Sequence, residues 1–559
     1  MSSTSHVNRT LHINNTYVIN TKADHIVTGF SLQYIPSHNH LMILIEIIPC
    51  AQFGVSFLFH TQVKGELIMG QQRHDHLLPF LFIMMMMMIS FNNIISCYSS
   101  ASQVLLEDDR RLLGPYHGPD HHDHESHHGY DSQAYPSYNV MSTILNDEFK
   151  EDLIEEITND VLSLKRIDHR VDSISSSVKT VINVNDFGAQ DEDGNHDDTE
   201  AFKKAWKVAC SSSEGFVALV VPYKKYGLKP IRFSGPCKSV LTMQIYGTIE
   251  ASEDQSDYSD DRRHWLVIER VENLIVEGGG TIDGNGKIWW QNSCKINKTL
   301  PCKHAPTAIT FNQCTNLIVS NLKIQNAQQI HVSFSKCMNV LASYLIVTSP
   351  EKSPNTDGIH VTRTQNILIS SCVIRTGDDC ISIVNGSQNV LATDIACGPG
   401  HGISIGSLGS GNSEAHVSGI LVDRAQLSGT TNGVRIKTWQ GGSGSASNIK
   451  FQNVEMDNVT NPIIIDQNYC DQDKACEEQD SAVQVENVIY ENIQGTSASD
   501  VAIKFDCSES FPCRGVLLQN INLEGSGGNE AEALCRNVEW ADIGTVSPRC
   551  PEESHSCTI

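Results

Sequence analysis

Four short segments carry residues that could do acid–base chemistry. Asp357-Gly358-Ile359-His360-Val361 aligns with Asp379-Cys380-Ile381-Ser382-Ile383, His401-Gly402-Ile403-Ser404-Ile405 and Asn432-Gly433-Val434-Arg435-Ile436, at offsets of 22, 22 and 31 residues. On successive coils of a repeating ribbon, Ile359, Ile381, Ile403 and Val434 point inward, while His360, Ser382, Ser404 and Arg435 point outward. The turn before each strand then presents Asp357, Asp379, His401 and Asn432 in a column. Asp378 adjoins Asp379, and Lys437 shares a face with Arg435. Carboxylates on neighbouring coils repel, which raises the pKa of at least one of them. A raised carboxyl can donate a proton while its neighbour stays ionised, as glycoside hydrolysis requires. Arg435 and Lys437 could bind an anionic group of the substrate. Asp is also a common turn residue, and either aspartate alone could be a cap. The convergence of His401, Arg435 and Lys437 on the same column favours chemistry.

Such a column needs stacked coils, and the sequence repeats in a way that supplies them. Asn-Leu-Ile-Val at Asn273 recurs at Asn316, followed by Asn-Val-Leu at Asn339, Asn-Ile-Leu-Ile at Asn366 and Asn-Val-Leu at Asn389, with spacings of 43, 23, 27 and 23 residues. Looser copies start at Asn448 and Asn487. Short β-branched runs with a period in the twenties suit an all-β parallel β-helix, with coils about 4.8 Å apart. Inward Val, Ile and Leu form its core, and the asparagines ladder at its turns. Residues 181–184 alternate as a strand. Residues 197–210 form a short N-terminal capping helix, with Glu200 in the capping position relative to Asp197.

The chain has 559 residues, 40 basic and 65 acidic, for a formal charge of −25. That balance argues against a nucleic-acid partner and makes polyanion binding depend on locally placed cations. No apolar run reaches the ~18 residues of a membrane span. The longest, at residues 77–89, lies between Met69 with Arg73 and a small-residue stretch at 99–102, the pattern of a secretory signal displaced from the chain start. Residues 1–68 are therefore expected to be a gene-model extension, 69–101 a signal peptide, 102–180 a linker and possible pro-segment, and 181–559 the catalytic solenoid. The linker carries His117, His121, His122, His124, His127 and His128, a solvated tract in preference to a metal site. An acidic amphipathic helix follows at 141–165.

Of eighteen cysteines, sixteen remain after Cys50 and Cys97 are set aside. Cys294 with Cys302, Cys470 with Cys476, and Cys507 with Cys513 are close enough to close short loops. Such neighbours suit disulfides in an oxidising compartment, with the full connectivity open. Sequons at Asn297, Asn385 and Asn458 agree with secretion.

Asn355-Thr356-Asp357, Gly377-Asp378-Asp379, Gly400-His401-Gly402 and Arg435-Ile436-Lys437 resemble the four signatures of glycoside hydrolase family 28, and the text from about Val181 to Cys550 resembles its plant polygalacturonases. The resemblance implies a right-handed parallel β-helix. It also implies an inverting, metal-free and cofactor-free hydrolysis of α-1,4 links in de-esterified pectin. By that likeness Asp378 is the general acid, Asp357 and Asp379 hold and activate water, and His401 keeps Asp378 protonated. Arg435 and Lys437 grip substrate carboxylates, Asn355 shapes the site, and Tyr469 contacts sugar. The likeness leans towards an endo-acting, monomeric, secreted enzyme of the cell wall. The competing readings are a pectate lyase, an exo-acting, rhamnogalacturonan or xylogalacturonan hydrolase on the same scaffold, and a catalytically silent wall-binding solenoid.

Overall fold

The structure is a computed structural model that describes residues 30–37, 40–47, 180–190, 196–471 and 476–551. The signal-like segment, the histidine-rich tract, the acidic helix expected at 141–165 and Cys557 lie outside these residues. Phe30–Ser37 and His40–Ile47 form an antiparallel pair in a unit separate from the one that starts at Ser132.

From Thr180 onward the chain winds as a parallel β-helix. One face is an eleven-stranded parallel sheet. Its central strands are Thr307–Asn312, Val332–Ser335, Ile359–Thr362, Ile381–Ile383, Ile403–Leu408, Asn432–Thr438 and Asn461–Asp466. Nineteen further strands form the remaining walls as one parallel sheet. The register matches the sequence alignment. Ile359 pairs with Ile381, Ile381 with Ile403, Ile403 with Val434 and Val434 with Ile463. All five side chains are fully buried. Parallel register stacks like on like, so Phe311 lies on Phe334 with centroids 5.4 Å apart. Phe451 lies on Tyr490 at the same spacing.

The asparagine ladder forms at the turns. Asn316 donates to Asn273 (3.0 Å), Asn339 to Asn316 (3.1 Å), Asn366 to Asn339 (3.3 Å) and Asn389 to Asn366 (3.1 Å). Each of these asparagines has φ near +55°, a left-handed conformation that asparagine tolerates and β-branched residues do not. Asn339→Ala loses two amide hydrogen bonds and strains the backbone. It should destabilise the protein by about 3 kcal/mol in a urea titration, and Asn339→Gly, free of the strain, by about half of that.

The helix at Thr199–Ser211 closes one end of the solenoid. It buries Phe202, Ala205, Trp206 and Ala209 at helical spacing, with Phe202 against Tyr226 and Trp206 against Phe233. It begins two residues later than the sequence suggests. Asp197 accepts the Thr199 N–H at 3.1 Å from outside the helix, and Glu200 pairs with Lys203 at 2.7 Å instead of closing a capping box.

Six disulfides form among the described residues: the three expected, and Cys210–Cys237, Cys380–Cys397 and Cys535–Cys550. Cys314, Cys337 and Cys372 are buried free thiols. They occupy inward wall positions where a small apolar side chain is needed.

Candidate active site

The four motifs come together on the outer wall of the eleven-stranded sheet. Two motif glycines allow the turns to approach. A Cβ on Gly377 would lie 2.0 Å from the Ser353 carbonyl oxygen, and one on Gly402 2.0 Å from that of Asn432. Thr356, fully buried, accepts the Gly377 N–H at 2.9 Å and donates to the Ser353 carbonyl at 2.9 Å. The first motif thus pins the second. The Cys380–Cys397 bridge, spanning 17 residues, anchors the strand that leaves the Asp378-Asp379 turn. Replacing both cysteines by alanine should lower unfolding stability by about 3 kcal/mol, read by urea titration under non-reducing conditions.

Asp379 is buried and is the hub of the cluster. Its Oδ1 accepts from Ser404 Oγ at 2.8 Å and Arg435 Nη2 at 2.7 Å, and its Oδ2 accepts from Lys437 Nζ at 2.9 Å. Asp378 Oδ1 meets His401 Nδ1 at 2.9 Å and accepts the Asp379 N–H at 2.8 Å, while its Oδ2 accepts from Asn355 Nδ2 at 3.3 Å. Asp357 Oδ2 accepts from Ser382 Oγ at 2.7 Å, and that hydroxyl also meets His360 Nδ1 at 2.8 Å. Tyr469 lies under the Lys437 ammonium, 5.4 Å from ring centroid to Nζ, and is edge-on to Trp439.

Every site residue named from the sequence therefore falls in one cluster. Sequence reasoning placed Ser382 and Ser404 on this face but missed their part. Each donates to one of the aspartates, and outward alternation on the strands was the signal. The two cations also differ from expectation, since both are already turned onto Asp379. Arg435 uses Nε on Ser404 (3.0 Å) and Nη2 on Asp379, and Lys437 spends one ammonium proton there. Their remaining donors have no acceptor among the described residues and can meet a second anion.

Burial, then the neighbouring Asp378 and Asp379 charges, push Asp357 well above the usual carboxylate range. Burial acts most strongly on Asp378 too, but the His401 hydrogen bond and charge, the Lys437 charge and the Asp379 N–H together hold Asp378 below its ordinary value. His401 is raised in turn, chiefly by its hydrogen bond to Asp378. Asp357 thus holds a proton more strongly than Asp378, and the proton beside Asp378 is held jointly with His401. Burial lowers His360 to about 4, so its ring is neutral and orients Ser382.

The profile of glycosyl hydrolases family 28 matches residues 210–557. The chain belongs to this family. It is 61% identical over 426 residues to a polygalacturonase of Malus domestica, covering 76% of this chain and 90% of that one. It is 60% identical to a polygalacturonase of Persea americana, covering 73% and 87%. Among solved structures, the endo-xylogalacturonan hydrolase of Aspergillus tubingensis superposes with a TM-score of 0.56 at 23% identity, covering 66% of this chain and 98% of that one, and shares the fold. The family 28 chain described here is a glycosidase on a parallel β-helix.

Proposed function

We propose that this family 28 enzyme hydrolyses α-1,4-galacturonosyl links of de-esterified pectin by inversion, cutting within the chain, outside the cell in the wall. The single observation that carries the reading is the Asp379 hub, where a buried carboxylate, Arg435 and Lys437 sit beside the Asp378–His401 pair. A neutral polysaccharide would have no use for two cations with spare donors on an acidic protein. Their free donors take the carboxylate of a galacturonate unit next to the scissile bond. The proton held between Asp378 and His401 passes to the leaving glycosidic oxygen. Water held by Asp357 and Asp379 attacks the anomeric carbon from the opposite side and gives up its proton to the carboxylate pair that holds it. Asn355 keeps Asp378 in place, and Tyr469 packs on the sugar ring. Neither metal nor cofactor has a part in this scheme.

The six disulfides support an oxidising, extracellular setting. A mature monomer starting beyond the 69–101 segment belongs to the same reading. Of the three sequons, Asn297 and Asn458 are exposed. The Asn385 amide is engaged on the Glu414 carbonyl and the His416 N–H. Glycan is expected at the first two and not at Asn385, checked by mass spectrometry of tryptic peptides.

Reducing-sugar release from polygalacturonate tests the activity. Loss on adding a chelator, with a product absorbing in the ultraviolet, would instead indicate a lyase. The pH profile follows from His401. Its folded pKa lies above 6.5, so the stored proton and the stability it brings are present below that value. Both are lost as pH rises through the folded pKa. The alkaline limb of kcat/KM should therefore lie above pH 6.5, and His401→Ala should move it to lower pH.

A further inference from the structure

We propose that Ser382 and His360 form a positioning pair for the hydrolysis: the His360 ring fixes the Ser382 hydroxyl, and that hydroxyl aims Asp357 at the attacking water and favours its carboxylate form. This inference rests on the activity proposed above. His360 and Ser382 are register partners on neighbouring coils, in Ile359–Thr362 and Ile381–Ile383. Both project outward, on the face that carries the cluster. Ser382 is 2% exposed. Its Oγ donates to Asp357 Oδ2 at 2.7 Å and meets His360 Nδ1 at 2.8 Å. A hydroxyl has one proton to give. With that proton on Asp357, the His360 contact must be an N–H donated to Oγ, so the neutral ring carries its hydrogen on Nδ1.

The next coil repeats the arrangement. Ser404, the register partner of Ser382, donates to Asp379 Oδ1 at 2.8 Å and accepts from Arg435 Nε at 3.0 Å. The two aspartates differ in their other partners. Asp379 also accepts from Arg435 Nη2 and Lys437 Nζ, and Asp378 has His401, the Asp379 N–H and Asn355. Asp357 has Ser382 as the one hydrogen-bond donor to its carboxylate among the described residues. The charged groups facing Asp357 are Asp378 and Asp379, which disfavour its ionisation, and Lys437, which favours it. His331 on the preceding coil meets its main-chain carbonyl at 2.9 Å and is held neutral by burial.

Ser382 is therefore the group that acts on Asp357 without a charge of its own. A hydrogen bond to an ionised carboxylate is stronger than one to its acid. The hydroxyl thus draws Asp357 towards the form that must accept the water's proton. It does so only while it points at Oδ2, and the His360 N–H is what holds it there, because an oxygen that accepts from one side directs its own proton to the other. A neutral ring suits this task, since an added positive charge beside Lys437 would compete for the substrate carboxylate.

The test measures kcat and KM on polygalacturonate across both limbs of the pH profile for the full chain and its Ser382→Ala, His360→Leu and His360→Asn variants. The acid limb reports the carboxylate that must be ionised, Asp357, and the alkaline limb reports His401. Ser382→Ala should move the acid limb up by about one pH unit, a tenfold change in proton affinity, and lower kcat about tenfold with KM within about twofold. The alkaline limb should stay in place. His360→Leu should act in the same direction by about threefold. His360→Asn, whose amide N–H can stand where Nδ1–H stood, should recover most of that loss. An acid limb that stays put in Ser382→Ala, both limbs moving together, or His360→Asn no better than His360→Leu overturns the pair while leaving the activity standing. A wild-type chain that releases no reducing sugar overturns the activity and, with it, the pair.

Discussion

Asp378→Asn should reduce kcat on polygalacturonate by about 10³-fold, within the range of general acid catalysis, while leaving the fold intact. The amide keeps the shape and can still meet Asn355 and the Asp379 N–H, but it has no proton to give. The test that isolates the acid role is the leaving group. A galacturonoside of a strongly acidic phenol departs without protonation, so the loss on it should shrink to about tenfold or less. Asp357→Asn should show no such relief, because the attacking water still needs orientation. This contrast matters because burial gives Asp357, and not Asp378, the higher proton affinity. If Asp357→Asn were the variant relieved by the activated leaving group, the acid would be Asp357 and the assignment by resemblance would be wrong.

Lys437→Met should cost both stability and activity. Lys437 is 7% exposed, and its ammonium holds Asp379 Oδ2 at 2.9 Å. Removing it leaves a buried carboxylate with Arg435 as its one cation and Ser404 as its other donor, both on Oδ1. Breaking a buried pair from one side typically costs about 3–5 kcal/mol, and the lower end applies here because Arg435 remains. The same change removes a cation from the proposed carboxylate site and the charge over Tyr469, so kcat/KM should fall at least about 100-fold. Adding Asp379→Asn to Lys437→Met should return part of the stability, because the unpaired charge disappears, but none of the activity. A Lys437→Met protein within 1 kcal/mol of wild type would show that the pair is solvated and that the hub is not buried in solution.

The central stack was legible because a β-helix keeps its register. Asp357, Asp379, His401 and Asn432 are separated by whole coils, so alignment by the Ile-x-Ile/Val pattern alone brought distant carboxylates together. The asparagine turns were legible for the same reason, since one left-handed position recurs on each coil. What depended on burial was not. The preference of Asp357 for its proton arises from surrounding atoms that no spacing encodes. The commitment of Arg435 and Lys437 to Asp379 needed side-chain reach across two coils. Even cysteine count misled in part, because Cys314, Cys337 and Cys372 serve as small wall residues.

The most direct test follows hexagalacturonate hydrolysis by proton NMR from the first seconds. Inversion at the Asp357–Asp378–Asp379 cluster predicts new reducing ends that appear as the β-anomer before mutarotation, in products of several lengths. An initial α-anomer, or an unsaturated product, would contradict the account.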